Sequence, residues 1–97
     1  MQLQEIQQKI TPLLQRSNIE YAGVFGSVAR GEATGNSDID ILVKFRNQPT
    51  FSAYLKLDND LRKELGQDID LLTEGSVNKF LRPQIEQDLK IIYGSRT

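Results

Sequence analysis

The chain has 97 residues, a hydrophobic fraction of 38%, a charged fraction of 26% and a formal net charge of -1. This length suits one domain, 1–97, with a single core, and the charge gives no support for binding nucleic acid through a basic surface. Cysteine and histidine are both absent, which excludes disulfides, Cys/His zinc sites and a Ser-His-Asp triad. Oxygen ligands remain, and they suit hard cations such as magnesium.

Nothing in the sequence predicts a membrane partner. No apolar run approaches the roughly 20 residues needed to span a bilayer. The N-terminus has neither the basic start nor the apolar block of a signal peptide. We therefore expect a cytoplasmic protein.

The first third of the sequence predicts a helix followed by a strand. Between positions 3 and 14 the apolar side chains recur at three- and four-residue steps, which is typical of an amphipathic helix. Pro12 falls inside this pattern and predicts a kink or a restart of the helix. The alternating run 19–25 then predicts a strand, which the Gly26-Ser27 pair ends.

The middle of the sequence predicts a short turn, a second strand and a second helix. Ser27 is placed to cap a helical turn that ends near Arg30. Residues 38–45 are strongly apolar after an acidic start and predict the second strand. Apolar positions within 51–65 are spaced as on a helix, and Gly66 is a natural C-terminal stop.

The last third predicts a third strand over 67–73 and a final helix. Apolar positions from Val77 to Tyr93 form a helical stripe that is broken or restarted at Pro83. The element order α-β-β-α-β-α predicts an α/β (α+β) fold with a mixed three-stranded sheet and helices packed mainly on one face. The short first connection makes the first two strands antiparallel, and the helical crossover returns the third strand parallel to the second.

Two pairs of aspartates lie at the starts of the second and third strands. Residues two apart on a strand share a face, so Asp38 and Asp40 would repel each other unless a divalent cation lies between them. A solvated strand edge is the simpler interpretation of this pair by itself. Asp70 lies deeper in its strand than Asp68, which we expect to be exposed, and is the better candidate for a third carboxylate. Three carboxylates can hold two magnesium ions.

The Gly26-Ser27 pair is a candidate phosphate-binding turn. Unpaired backbone N–H groups at the start of a helical turn attract phosphate, with Gly26 permitting close approach and Ser27 supplying a hydroxyl. A plain strand-to-helix turn explains the same two residues. Arg30 also has two interpretations, a phosphate contact or an ion pair that braces the loop, with Glu32 as its partner.

Together these residues resemble the nucleotidyltransferase superfamily that includes polymerase beta, and most closely its minimal, MNT-type branch. The pattern of that branch is G-S-x-A-R-G, a short gap and S-D-x-D, followed by a later aspartate. The matching positions here are Gly26, Ser27, Ala29, Arg30, Gly31, Ser37, Asp38, Asp40 and Asp70. The resemblance covers nearly the whole chain and implies a nucleotidyltransferase fold.

The resemblance also implies an activity and roles for residues. It implies transfer of a nucleotidyl group from a nucleoside triphosphate, with magnesium, to a hydroxyl. Gly26 and Ser27 would hold the phosphates, and Arg30 is a further candidate for nucleotide binding. The implied catalytic residues, which are also the implied metal ligands, are Asp38, Asp40 and Asp70.

Minimal members of this superfamily are similar to MntA-type antitoxins, which pair with a HEPN-type ribonuclease toxin and add AMP to one of its tyrosines. We therefore expect ATP as substrate, two Mg²⁺ ions as cofactors and a HEPN-type toxin as partner. Two alternatives stay open at this point. One is an antitoxin that only masks its toxin, and the other is the catalytic subunit of a small-molecule nucleotidyltransferase.

Overall fold

The computed structural model describes residues 1–35 and 37–96. Within these residues, helices and strands alternate along the chain and the strands form one mixed sheet in the order β3-β2-β1-β4. The helices are α1 (Leu3–Arg16), α2 (Gly26–Arg30), α3 (Phe51–Leu65) and α4 (Arg82–Asp88). The strands are β1 (Ile19–Phe25), β2 (Ile39–Phe45), β3 (Ile69–Thr73) and β4 (Lys90–Gly94), and a single 3₁₀ turn, Glu74–Ser76, follows β3.

The two long helices, α1 and α3, cover one face of the sheet. Their apolar stripes meet alternate residues of the strands, because successive side chains on a strand point to opposite faces. Gly66 ends α3 in the left-handed conformation with φ 69°, as the sequence predicts. The buried residues of this core include Ile6, Ile10, Leu14, Ala22, Val24, Ile39, Ile41, Val43, Leu57, Leu61, Ile69 and Leu71.

The opposite face of the sheet is covered in part by α4. A smaller buried cluster forms there from Tyr21, Phe25, Leu42 and Ile85. Asp40 alternates with Ile39 and therefore lies on this second face of β2. Asp40 thus faces the side of the sheet on which the covering helix, α4, is short and leaves space.

The predicted strand pairings are confirmed. β1 and β2 are antiparallel neighbours, and β2 and β3 are parallel neighbours. The end of β1 therefore meets the starts of β2 and β3 at one edge of the sheet, which brings Phe25, Asp40 and Asp70 side by side.

The prediction of three strands is wrong, because a fourth strand, β4, pairs antiparallel with β1. The sequence pattern predicts one helix through 77–93, whereas α4 ends at Asp88 and the chain then becomes extended. Ile92 belongs to the predicted apolar stripe and is buried, but it packs against the core beneath α1 and α3 as part of strand β4. The observed order is α-β-α-β-α-β-α-β, so the predicted order lacked both β4 and the separate helix α2.

Two smaller predictions also need correction. Helix α1 is continuous through Pro12, so of the two predicted alternatives the restart is wrong. Ser27 does not cap α2: it lies inside the helix, the N-cap residue is Phe25, and no side chain caps that end. Across the residues that the structure describes, none of the helices has the length and apolar character needed to cross a membrane.

Candidate nucleotide-binding site

The central feature of the site is a pair of carboxylates on neighbouring parallel strands. Asp40 on β2 and Asp70 on β3 are register partners, so their backbones lie one strand spacing apart, about 4.8 Å. Both residues line the same pocket. The sequence placed these two aspartates on separate strands, and the parallel register brings them together.

Helix α2 approaches the same pair from the end of β1. Gly26 opens this helix with φ 74°, a left-handed conformation that glycine adopts readily and other residues rarely adopt. A Cβ atom at position 26 would overlap Oδ2 of Asp40. The glycine is therefore required both by the backbone turn and by the close packing of the Asp40 carboxylate against it.

The position of Asp40 changes its acid–base behaviour. Burial raises the pKa of the Asp40 carboxyl, the charges of Asp70 and Asp38 raise it further, and Arg30 opposes this effect. A divalent cation at this position would relieve the repulsion between the carboxylates. The electrostatics therefore favour a cation here.

These residues open into a pocket of about 400 Å³. One side of it is polar and is formed by the start of α2 and the carboxylate pair. The other side is mostly apolar and is formed by β3 and α4. The lining residues are Phe25, Gly26, Ser27, Arg30, Asp40, Asp70, Leu72, Leu81, Gln84, Ile85 and Asp88.

Asp38 lies apart from this pocket. It precedes β2, which begins at Ile39 and not at residue 38 as predicted. The exposed Asp38 lines a separate crevice with Ser37 and Asp68. It is nevertheless close enough to Asp40 for its charge to raise the pKa of that carboxyl.

Asp68 is exposed, as the sequence predicts. Its side chain is 82% exposed and pairs with Arg62 at 3.2 Å. Within residues 1–35 and 37–96, no three acidic side chains converge closely enough to hold a metal ion by themselves. A magnesium ion commonly uses one or two carboxylates together with phosphate oxygens of the substrate, and the Asp40–Asp70 pair fits that donor set.

Arg30 forms ion pairs with two carboxylates. Its Nη1 donates to Oδ2 of Asp88 at 2.6 Å, and its Nε donates to Oε2 of Glu32 at 3.4 Å. The hydrogen bond with Asp88 is the main reason that the pKa of the guanidinium is raised. The pairing with Glu32 that the sequence suggested is present, and Arg30 also lines the pocket.

The contribution of α4 to the pocket is absent from the sequence-based prediction. Leu81, just before this helix, and Ile85 and Asp88 within it are spaced by four and three residues and line the pocket. A carboxylate on an otherwise apolar helical stripe is a signal that the sequence contained. The sequence did not show that this carboxylate, Asp88, contacts Arg30, because the two residues are 58 positions apart in the chain.

Comparisons with known proteins bear on the family and the fold. The family model "Polymerase beta, Nucleotidyltransferase" matches residues 8–97. A candidate protein adenylyltransferase of Methanocaldococcus jannaschii is 42% identical over 92 residues, which are 91% of this chain and 92% of that protein. The protein adenylyltransferase MntA of Thermococcus cleftensis is 37% identical over 91 residues, covering 90% and 92% of the two chains.

Solved structures extend the comparison to the fold. A toxin–antitoxin complex with AMP-PNP contains a chain that matches with a TM-score of 0.80 and 29% identity, over 93% of this chain and 74% of that one. A complex of an MNT antitoxin with the tri-AMPylated HEPN toxin of Shewanella oneidensis gives a TM-score of 0.74 and 26% identity, over 95% and 72%.

Proposed function

Because this chain belongs to the polymerase beta nucleotidyltransferase family, we propose that it transfers AMP from ATP to a hydroxyl of a partner protein. The acceptor we propose is a tyrosine of a HEPN-type toxin. Modification of that residue neutralises the toxin, so the chain acts as an antitoxin.

The observation that carries this proposal is the convergence of Gly26, Asp40 and Asp70 on one pocket. A turn that starts with glycine and carries no side-chain cap leaves backbone N–H groups for phosphate oxygens. The adjacent carboxylates suit the metal that accompanies a triphosphate. In this assignment Gly26 and Ser27 bind the phosphates, with Arg30 beside them at the pocket wall.

Asp40 and Asp70 are the residues that would hold magnesium, and Asp38 would join them from its position just before β2. Magnesium supplies neutralisation of the phosphate charge and lowers the pKa of an oxygen that it contacts. Burial is the main cause of the raised pKa of Asp40, and the charges of Asp70 and Asp38 add to it. A cation would compensate that part of the effect, which supports this assignment.

The chemical step needs little else from the protein. The acceptor hydroxyl oxygen forms a bond to the α-phosphorus of ATP, and the bond between that phosphorus and the oxygen bridging to the β-phosphate breaks. Pyrophosphate leaves with the bonding electrons, and the hydroxyl loses its proton, for which the Asp70 carboxylate is the candidate acceptor. The start of α2 holds the phosphates in line for this displacement, and Asp40 would hold the magnesium that accompanies them.

Two relationships support the choice of partner. The Thermococcus relative is named a protein adenylyltransferase, so the activity in that protein acts on protein. A structural neighbour is bound to a HEPN toxin that carries AMP groups. We transfer both properties to this chain as parts of the proposal.

The test is an AMP-transfer assay with a HEPN-type toxin as the acceptor protein. The two purified proteins are incubated with ATP labelled at the α-phosphate and with magnesium, and the partner is then analysed by mass spectrometry. We expect one or more AMP groups on a tyrosine of the partner. Asp70→Asn should lower the rate by at least about 100-fold, because groups that stabilise the transferring phosphate contribute several kcal/mol.

Asp68→Asn is the matched control, since Asp68 lies two residues away in sequence but does not line the pocket and pairs with Arg62. It should change the rate by less than about twofold, as expected for an exposed ion pair. Wild-type protein that neutralises the partner without incorporating AMP would overturn the enzymatic role and indicate masking alone. Equal rates for Asp70→Asn and wild type would overturn the site assignment.

A further inference from the structure

The ion pair between Arg30 and Asp88 joins α2, the helix assigned to phosphate binding, to the helix on the opposite wall of the pocket, α4. We propose that Asp88 is a positioning residue for the nucleotide: it holds the Arg30 guanidinium at the pocket wall, where its free N–H groups meet the triphosphate. This inference rests on the function proposed above. It assigns a specific task to a residue outside the sequence motif.

The geometry leaves part of the guanidinium available. An arginine side chain carries five N–H donors. Within the described residues, Nη1 donates to Asp88 and Nε donates to Glu32, and the other N–H groups, including both on Nη2, have no protein acceptor. Because Arg30 lines the pocket, these groups can donate to phosphate oxygens while the contact with Asp88 is kept.

Asp88, more than Glu32, determines where the guanidinium lies. The Asp88 side chain is 13% exposed and contacts Arg30 at 2.6 Å, whereas that of Glu32 is 63% exposed and contacts it at 3.4 Å. The shorter contact, whose carboxylate is largely shielded from solvent, is the stronger of the two. Asp88 is also fixed in place by α4, which is anchored in the core by Ile85.

Positioning matters because arginine has a flexible side chain. Holding it in one rotamer before the nucleotide arrives removes an entropic penalty from binding. Simple electrostatics predicts the opposite effect for Asp88. A carboxylate in the pocket repels the triphosphate, so its removal would strengthen binding if the residue did nothing else. The two roles therefore predict changes in Kd of opposite sign when Asp88 is replaced.

The test uses Asp88→Asn, which keeps the size of the side chain and removes its charge. Affinity for AMP-PNP with magnesium is measured by calorimetry, and KM for ATP and kcat are measured in the transfer assay. We expect Kd and KM to rise about fivefold, the effect of weakening one charge-assisted hydrogen bond. We expect kcat to change by less than about twofold, because the contact is made in both the ground state and the transition state.

Asp58→Asn is a matched control for loss of a helix-borne ion pair. Asp58 contacts Arg62 at 3.1 Å with a side chain that is 18% exposed, and neither residue lines the pocket. Kd and KM should stay at the wild-type values in this variant. A urea unfolding curve checks that each variant is folded, and Asp88→Ser provides a second substitution if Asp88→Asn is unstable.

A double-mutant cycle shows whether Asp88 acts through Arg30. In an Arg30→Ala background, Asp88→Asn should cause no further rise in Kd. Unchanged or tighter binding by Asp88→Asn alone would overturn the inference, and so would an equal rise with and without Arg30. Wild-type protein that binds AMP-PNP but transfers no AMP would refute the proposed function, while the Kd comparison would still decide the role of Asp88. Wild-type protein that fails to bind AMP-PNP would overturn both.

Discussion

The carboxylate of Asp40 occupies the space in which a side chain at Gly26 would begin. The glycine also has a positive φ of 74°, so two independent constraints act on one position. This relationship explains physically why the residue that follows β1 at the pocket is a glycine. Any larger residue would displace the carboxylate that we assign to the metal.

Gly26→Ala tests this relationship. The left-handed backbone should cost alanine about 1 kcal/mol, and displacement of the Asp40 carboxylate should lower AMP transfer by at least about tenfold, because a small misplacement of a catalytic group has a large effect on rate. Stability is measured by urea unfolding and activity by the transfer assay.

Gly31→Ala is the control for Gly26→Ala, because Gly31 has the same φ of 74° but nothing within 4 Å of an added Cβ. It should show a similar loss of stability from backbone strain. Transfer should fall much less than in Gly26→Ala. Equal losses of activity in the two variants would show that the Asp40 contact is unimportant.

The raised pKa of Asp40 predicts a pH-dependent effect of Asp40→Asn on the metal-free protein. The folded state binds the Asp40 proton more tightly than the unfolded state, in which the carboxyl has the ordinary aspartate pKa of 3.8. The stabilisation from protonated Asp40 is therefore complete below that pKa and is lost as pH rises through the folded pKa. Relative to wild type, Asp40→Asn should become more stable as pH rises from 4 to about 8.

Thermal unfolding in EDTA, recorded for both proteins across this pH range, measures the effect. The difference in Tm between variant and wild type should grow with pH. A difference that stays constant, or that shrinks as pH rises, would contradict the assigned burial and charge repulsion at Asp40. Added magnesium should stabilise wild type more than Asp40→Asn, because binding to the folded state alone stabilises it.

Tyr21 gives a prediction about stability. It is 1% exposed, and within the described residues its hydroxyl has no hydrogen-bond partner. An unpaired buried hydroxyl is destabilising, so Tyr21→Phe should raise the free energy of unfolding by about 1 kcal/mol.

Tyr54→Phe is the natural comparison, because the Tyr54 hydroxyl donates to the carbonyl oxygen of Leu71 at 2.6 Å. Its loss should lower the free energy of unfolding by about 1 kcal/mol. Urea unfolding of the two variants should therefore give changes of opposite sign. A loss of stability in Tyr21→Phe would show that the Tyr21 hydroxyl has a partner, such as a buried water.

Much of the fold was predictable because several elements depend on neighbouring residues. The helical spacing within 51–65 and the stop at Gly66 are local features, and both predict α3 correctly. Strand β1 is bounded by the glycine that follows it. The short connection from β1 to β2 and the helical crossover to β3 then determine their pairing directions.

The errors lie where long-range contacts outweigh local periodicity. Apolar residues in 85–93 have helical spacing, yet the end of this segment gains more by pairing as β4 with β1, about 70 positions earlier in the chain. The strand buries Ile92 and supplies backbone hydrogen bonds to an edge of β1 that would otherwise lack them. A pattern read along one segment does not contain that information.

The sequence by itself determined the family of the protein and the residue types of its candidate site, because the glycine turn, Asp38 and Asp40 lie in one short stretch of the chain. Only the tertiary structure decided which of them meet. The parallel register places Asp70 beside Asp40, the boundary of β2 leaves Asp38 outside the strand, and α4 brings Asp88 to Arg30. Each of these outcomes depends on packing between segments that are distant in sequence, whose energies local patterns do not encode.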